Sequence, residues 1–168
     1  MRFFSLFLGP LLLVSCAGYQ LGGSKPNALK NVRTIAVPMF LNHSLHPRAE
    51  ALVTSAVANA VVQDGTYRIA DRGQADAILE GTLESIEYSS IRGSRLDNLQ
   101  SLELANRVTL NWKVIDAKNP LKLLASGKSI GTSQLFVSSN LQTAKNNALP
   151  EAAERAGEAL VSILSNDY

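Results

Sequence analysis

Between positions 102 and 116 the chain alternates in a way that leaves few options. Leu102, Leu104, Val108, Leu110, Trp112 and Val114 fall on one side of an extended backbone, and Arg107, Thr109, Asn111 and Lys113 on the other. A side-chain period of two with one apolar and one polar side belongs to a long strand in an antiparallel sheet, packed on one face and wet on the other. The rest of the chain must supply an apolar layer for that packed face.

The neighbouring segments fit. Across residues 75–90, Ala77, Leu79, Gly81 and Leu83 share one face while Ile86 and Tyr88 fall on the other, a change of phase that predicts a bulge. Residues 121–134 read as the next strand, joined through Asp116-Ala117-Lys118-Asn119-Pro120, whose Asn and Pro form turns. Three successive strands make a meander. Earlier, residues 31–41 read as a strand with Ile35, Val37 and Met39 on one face, and Pro38 marks an edge or a strand end.

Two segments have helical spacing. In residues 45–63, Leu52, Val53, Ala56, Val57, Ala60 and Val61 form one stripe, stopped by Asp64-Gly65. In residues 141–165 the stripe is Ala153, Ala156, Leu160, Ile163 and Leu164, and Pro150 either starts the main helix or kinks it. The order β-α-β-β-β-α predicts an α+β two-layer sandwich, with two helices packed on one face of a mainly antiparallel four-stranded sheet.

The N-terminus is of another kind. Met1-Arg2, an apolar block over residues 3–14 and Ser15-Cys16 have the layout of a secretory signal. The block is well short of the roughly 20 residues that a spanning helix needs. Leu13-Val14-Ser15-Cys16 resembles the lipobox of bacterial lipoproteins, in which the cysteine is diacylated before cleavage; the other reading is an ordinary signal with a chance cysteine. Cys16 is the only cysteine. A lone exported cysteine has no disulfide partner, and an acylated one needs none. One acyl chain holds a protein only marginally, whereas two or three give stable attachment. Ala17 rather than Asp follows the cysteine, which by resemblance to enterobacterial sorting favours the outer membrane, facing the periplasm.

The expected organisation is therefore a cleaved signal peptide over 1–15, a lipidated N-terminus and tether over 16–31, and a single domain over 32–168. The tether is rich in Gly, Ser, Asn and Pro, including Gly22-Gly23-Ser24-Lys25-Pro26. A formal net charge of +2, which falls further when Arg2 is removed, gives no sign of a nucleic-acid partner.

Catalytic patterns are sparse. His43 and His46 form an H-x-x-H that offers two metal ligands, with no third in evidence. Glu80, Glu84 and Glu87 invite a carboxylate mechanism, but Glu80 and Glu84 alternate with apolar residues as a solvated strand face does. There is no Gly-rich phosphate loop, no G-x-S-x-G elbow and no cysteine beyond the one assigned to lipid. The sequence predicts a protein that is not an enzyme, with no metal and no cofactor.

Cys16-Ala17-Gly18-Tyr19-Gln20-Leu21 is similar to the start of the mature LptE lipoproteins of lipopolysaccharide assembly. The similarity continues through Thr34-Ile35-Ala36-Val37-Pro38-Met39-Phe40-Leu41-Asn42, Glu50-Ala51-Leu52-Val53-Thr54 and Ala75-Asp76-Ala77-Ile78-Leu79-Glu80-Gly81-Thr82-Leu83, in that family's order and approximate spacing. The resemblance covers nearly all of the chain after Cys16. It implies two helices against a four-stranded sheet and a non-enzymatic role: a lipoprotein inside the lumen of the LptD β-barrel, supporting its assembly and helping lipopolysaccharide reach the outer leaflet. Such a lumen is polar, so a plug needs polar outward surfaces.

Lipopolysaccharide carries phosphates. Ile91-Arg92-Gly93-Ser94-Arg95 places two guanidinium groups in the expected loop between strands, with Arg107 and Lys128 as further candidates for phosphate contact. The alternative is that these four serve solubility. A rival resemblance is to the N-terminal α/β domains of TolB-like and CsgG-like envelope lipoproteins, through Val37-Pro38-Met39-Phe40-Leu41-Asn42, a helix, Gly65-Thr66-Tyr67-Arg68-Ile69-Ala70-Asp71-Arg72 and Ala75-Asp76-Ala77-Ile78-Leu79-Glu80-Gly81. Those families add a propeller or membrane-spanning hairpins, which this chain lacks the length to hold. A lipid-anchored enzyme, the third class, would need a catalytic constellation that is not visible.

Overall fold

A computed structural model describes residues 25–93, 101–136 and 140–166. The strands are β1 (Thr34–Ala36), β2 (Leu41–Asn42), β3 (Arg68–Ile69), β4 (Ala77–Gly93), β5 (Ser101–Asp116) and β6 (Leu123–Phe136). The helices are α1 (Ala49–Asp64), between β2 and β3, and α2 (Leu141–Ser165), after β6.

The meander is present: β4 pairs antiparallel with β5, and β5 with β6. Val108, Leu110, Trp112 and Val114 of β5 are buried beneath the helices, as their alternation predicts. Leu83 and Ser85 flank a register shift in β4, the bulge that the change of phase predicts. Beyond it Ile86 packs on the main core, and Tyr88 packs against Leu104, Leu135 and Ala148. The extra residue thus returns both side chains to the helix side.

The sheet departs from expectation in size and direction. It has six strands in the order β3-β1-β4-β5-β6, with β2 also on β4, and β1, β2 and β3 make parallel pairs. The sheet is therefore mixed, and the four-stranded, β-α-β-β-β-α expectation is corrected. Pro38 is one cause: lacking an N–H for the ladder, it splits the first strand in two. Both pieces stay on the β4 edge, at Ala36↔Ile78 and Leu41↔Thr82, with one residue more on their side than on β4. That residue reverses the facing. Met39, expected inward, is 61% exposed, and Phe40 is buried instead with its ring lying over Gly81. The other added strand is Arg68–Ile69, a run too short to register as a strand in sequence.

Both helices cover the same sheet face, giving the expected two layers. Helix α1 buries Val53, Ala56, Val57, Ala60 and Val61, and ends at Gly65, whose φ of 74° and N–H to the Val61 carbonyl close the last turn. It begins at Ala49, not 45, because Pro47 disfavours helix at His46 and Arg48 takes a left-handed φ of 64°. Helix α2 starts on Asn140, whose side chain accepts the Thr143 N–H, and carries Pro150 inside it without ending. Its buried arc turns toward α1 through Gly157 and Val161, which leaves Ile163, expected on the stripe, at the rim and 41% exposed. A smaller cluster of Ala36, Ala75, Ile78 and Ile115 is buried apart from the main core.

Because β1 and β4 start together (Ile35↔Ala77) where β5 ends (Ala77↔Asp116), one end of the domain gathers residues 25–34 and the 117–122 turn. Both helices also end there. Ser165 Oγ donates to Asp64 Oδ1 at 2.7 Å, and Tyr67 Oη donates to the Leu164 carbonyl at 2.6 Å. The β4–β5 hairpin points the other way.

Candidate functional site

With both helices on one side, the outward residues of β4, β5 and β6 form a broad face that neither α1 nor α2 covers. Register lines them in rows: Glu80, Lys113 and Ser126; Thr82, Asn111 and Lys128; Glu87, Arg107 and Thr132. Lys113 Nζ lies 3.1 Å from Glu80, and Arg72 Nη2 lies 3.6 Å from the same carboxylate. Glu84 accepts from Asn111 Nδ2 at 3.1 Å and sits 3.9 Å from His43 Nδ1. These partly exposed pairs each contribute about 0–1 kcal/mol, so they order the surface more than they stabilise the fold. Glu80 and Glu84 thus have cationic or amide partners, and no carboxylate pair with a shared proton is formed here.

At one edge, where residues 37–40 lift away from β4, an open cleft of about 480 Å³ lies between Pro38, Met39 and Leu41 on one wall and Arg72, Glu80 and Lys113 on the other. The two histidines diverge. His43 turns to Glu84, whereas the His46 ring packs 5.8 Å from the Tyr88 ring. Among the described residues no three His, Cys, Asp or Glu are grouped to hold a metal ion.

Arg107 and Lys128 both lie exposed on the helix-free face. Their rows are four positions apart along β5, about 13 Å at strand rise, so they stand on separate rows of the face. Arg92, expected in a loop, belongs to β4, its backbone paired with Glu103 a further four positions from Arg107. Arg95 and Cys16 lie outside the described residues.

Sequence reasoning passed over Asn106. It shares the inward parity of Leu104 and Val108, is fully buried, and has no partner for either amide atom. A polar residue in an apolar register was the available signal. Trp112 Nε1 and Ser129 Oγ are likewise buried without a partner, while Ser133 Oγ donates to the Ala148 carbonyl at 2.7 Å. Burial also pushes the Tyr88 phenol up, with Lys145 Nζ 4.7 Å above its ring.

The model of the LptE lipopolysaccharide-assembly family matches residues 32–164. The chain belongs to the LptE family. The match spans the domain from just before β1 to the end of α2, including the helix-free face. No curated protein matches the chain in sequence. Among solved structures it is similar to the PelC dodecamer from Paraburkholderia phytofirmans, at 24% identity and TM-score 0.51, over 84% of this chain and 95% of that one. The protein CT253 from Chlamydia trachomatis is similar at 8% identity and TM-score 0.52, over 78% and 92%. A neuraminyllactose-binding hemagglutinin homolog from Helicobacter pylori is similar at 13% identity and TM-score 0.50, over 86% and 90%. At such identities the likeness shows a shared fold and nothing further.

Proposed function

We propose that this LptE-family chain is a lipoprotein of the outer membrane, held on its periplasmic side by acyl chains on Cys16. There it partners an LptD-type β-barrel as plug and assembly factor and helps lipopolysaccharide reach the outer leaflet. The role is structural rather than enzymatic. The observation that carries this reading is the family match over residues 32–164. The helix-free face supports it: a large barrel lumen is polar and partly hydrated, and Thr82, Asn111, Lys128 and Thr132 suit such a wall better than they suit lipid. On this reading Arg92, Arg95, Arg107 and Lys128 contact lipopolysaccharide phosphates, Arg107 and Lys128 from separate rows of the sheet.

Photo-crosslinking side chains placed at Thr82 and Thr132, with Asn59 on α1 as comparison, test it in native outer membranes. The expected product is a crosslink from the sheet-face positions to a large β-barrel protein. No barrel crosslink from any of the three positions contradicts the proposal.

A further inference from the structure

The end of the domain that receives the tether has a charge pattern that the barrel reading does not use. Lys30, Arg33, Lys118 and Lys122 are all exposed there. Lys25 is beside them, donating to the Val32 carbonyl at 2.9 Å with its ammonium 4.5 Å from the Tyr67 ring. Among the described residues, three carboxylates share this end, and each accepts hydrogen bonds from neighbouring groups. Asp76 accepts from the N–H groups of Arg33 and Thr34 and from Thr34 Oγ1. Asp116 accepts from the N–H groups of Lys118 and Asn119 and lies 3.4 Å from Lys122 Nζ. Asp64 accepts from Thr66 N–H and Ser165 Oγ. The five cations named here outnumber these three carboxylates.

Between Lys118 and Lys122 stands Leu121, 97% exposed at the tip of the β5–β6 turn, followed by Leu123 at 56%. A single exposed leucine is ordinary. An exposed leucine at a turn tip flanked by Lys118 and Lys122, at the end nearest a lipid anchor, has the chemistry of a headgroup contact: cations meet anionic phosphate and the apolar tip enters the acyl boundary. Chain length narrows the geometry. Residues 16–24 can span at most about 30 Å when fully extended, so this end cannot stray farther than that from the lipid on Cys16.

We infer that the tether end of the domain, which carries Lys30, Arg33, Lys118, Lys122 and the exposed Leu121, rests on the anionic phospholipid headgroups of the membrane that holds Cys16. The inference rests on acylation of Cys16 and is independent of the barrel partner. It orients the free anchored domain, with the tether end down and the β4–β5 hairpin pointing away.

The test uses the full lipidated chain in vesicles, with an environment-sensitive dye on Leu121→Cys or, as comparison, on Leu45→Cys, a residue 98% exposed before α1. Both sites are surface positions whose substitution leaves the core untouched. In phosphatidylcholine vesicles containing phosphatidylglycerol, a lipid-borne quencher should reduce the emission at position 121 by about twofold and leave position 45 unchanged. High salt, or Lys118→Glu with Lys122→Glu, should reverse this. Equal quenching at both positions, none at 121, or no dependence on phosphatidylglycerol overturns the inference. The chain without an added cysteine reads the underlying assumption separately: Cys16 is its only thiol, and dye uptake there means that it is not acylated, which overturns both.

Discussion

Gly131 in the middle of β6 lies directly beneath the Ala152 carbonyl of α2: a Cβ at position 131 would stand 2.0 Å from that oxygen and 2.3 Å from the Ala156 nitrogen. The helix backbone therefore rests on the strand with no side chain between them, and Ala152, Ala153 and Ala156 keep the approach open from the other side. Since backbone rather than a flexible side chain would have to move, Gly131→Ala should lower stability by about 2–3 kcal/mol, and Gly131→Val by more. Urea denaturation followed by circular dichroism reads this as a lower midpoint at unchanged slope. A midpoint equal to wild type would mean that α2 does not sit this close.

Tyr67 closes the C-terminal end of α2. Its hydroxyl donates to the Leu164 carbonyl, one of the last four that have no partner within the helix. Tyr67→Phe should cost about 1–2 kcal/mol, because a buried acceptor is left without a donor. Burial, and then the charge of Asp64, push the phenol up to about 12. A folded pKa above the unfolded one means that stability is fully held below the ordinary value of 10.0 and is lost as pH rises toward 12. Stability measured in alkali should fall for the wild type and stay flatter for Tyr67→Phe.

Asp76 carries the acid side. Hydrogen bonds from the Arg33 and Thr34 backbone hold its carboxyl below the usual 3.8, aided by the Thr34 hydroxyl and Lys118. A depressed folded pKa stabilises above the unfolded value and loses that stabilisation as pH falls below it, so the effect should vanish on acidification from 3.8 downward. Asp76→Asn should be less stable than wild type at neutral pH, with the gap closing in acid. Because Asp76 is close to the surface, the gap should be small. Parallel denaturation curves at neutral pH and in acid decide it, and a gap that widens in acid would reverse the assignment.

Arg107 and Lys128 stand on rows four positions apart along β5, so their effects on lipopolysaccharide binding should be separate. Arg107→Asp and Lys128→Asp should each weaken binding about two- to fivefold and should combine multiplicatively, as exposed, non-contacting charges do. Titration of lipopolysaccharide into the purified lipidated chain measures this, with circular dichroism to confirm folding. Unchanged affinity in the double variant would remove both residues from the candidate set.

The elements legible in the sequence were those whose own side chains carry a long period. The alternation from Leu104 to Val114 and the stripe from Ala153 to Leu164 each repeat often enough to announce a face. The bulge was legible as well, because Leu83 and Ile86 could not otherwise both be buried in one layer. What escaped was set by pairing across the chain. Thr34–Ala36, Leu41–Asn42 and Arg68–Ile69 are each too short to show a period and exist because a neighbouring edge receives them. The exchange of Met39 for Phe40 follows from an interruption that Pro38 signals in kind, while the resulting register depends on β4. In the candidate site, sequence gave the residue types at Arg107 and Lys128. The spacing of their rows, about 13 Å along β5, is a property of register, and no count along the chain between positions on different strands contains it.

Partnership with a large β-barrel is tested most directly by isolating the lipid-anchored chain from detergent-solubilised outer membranes and identifying what accompanies it by mass spectrometry. The account predicts an LptD-type barrel in roughly equal amount. Recovery of Tol or curli-secretion components, or of the chain with no barrel, would contradict it.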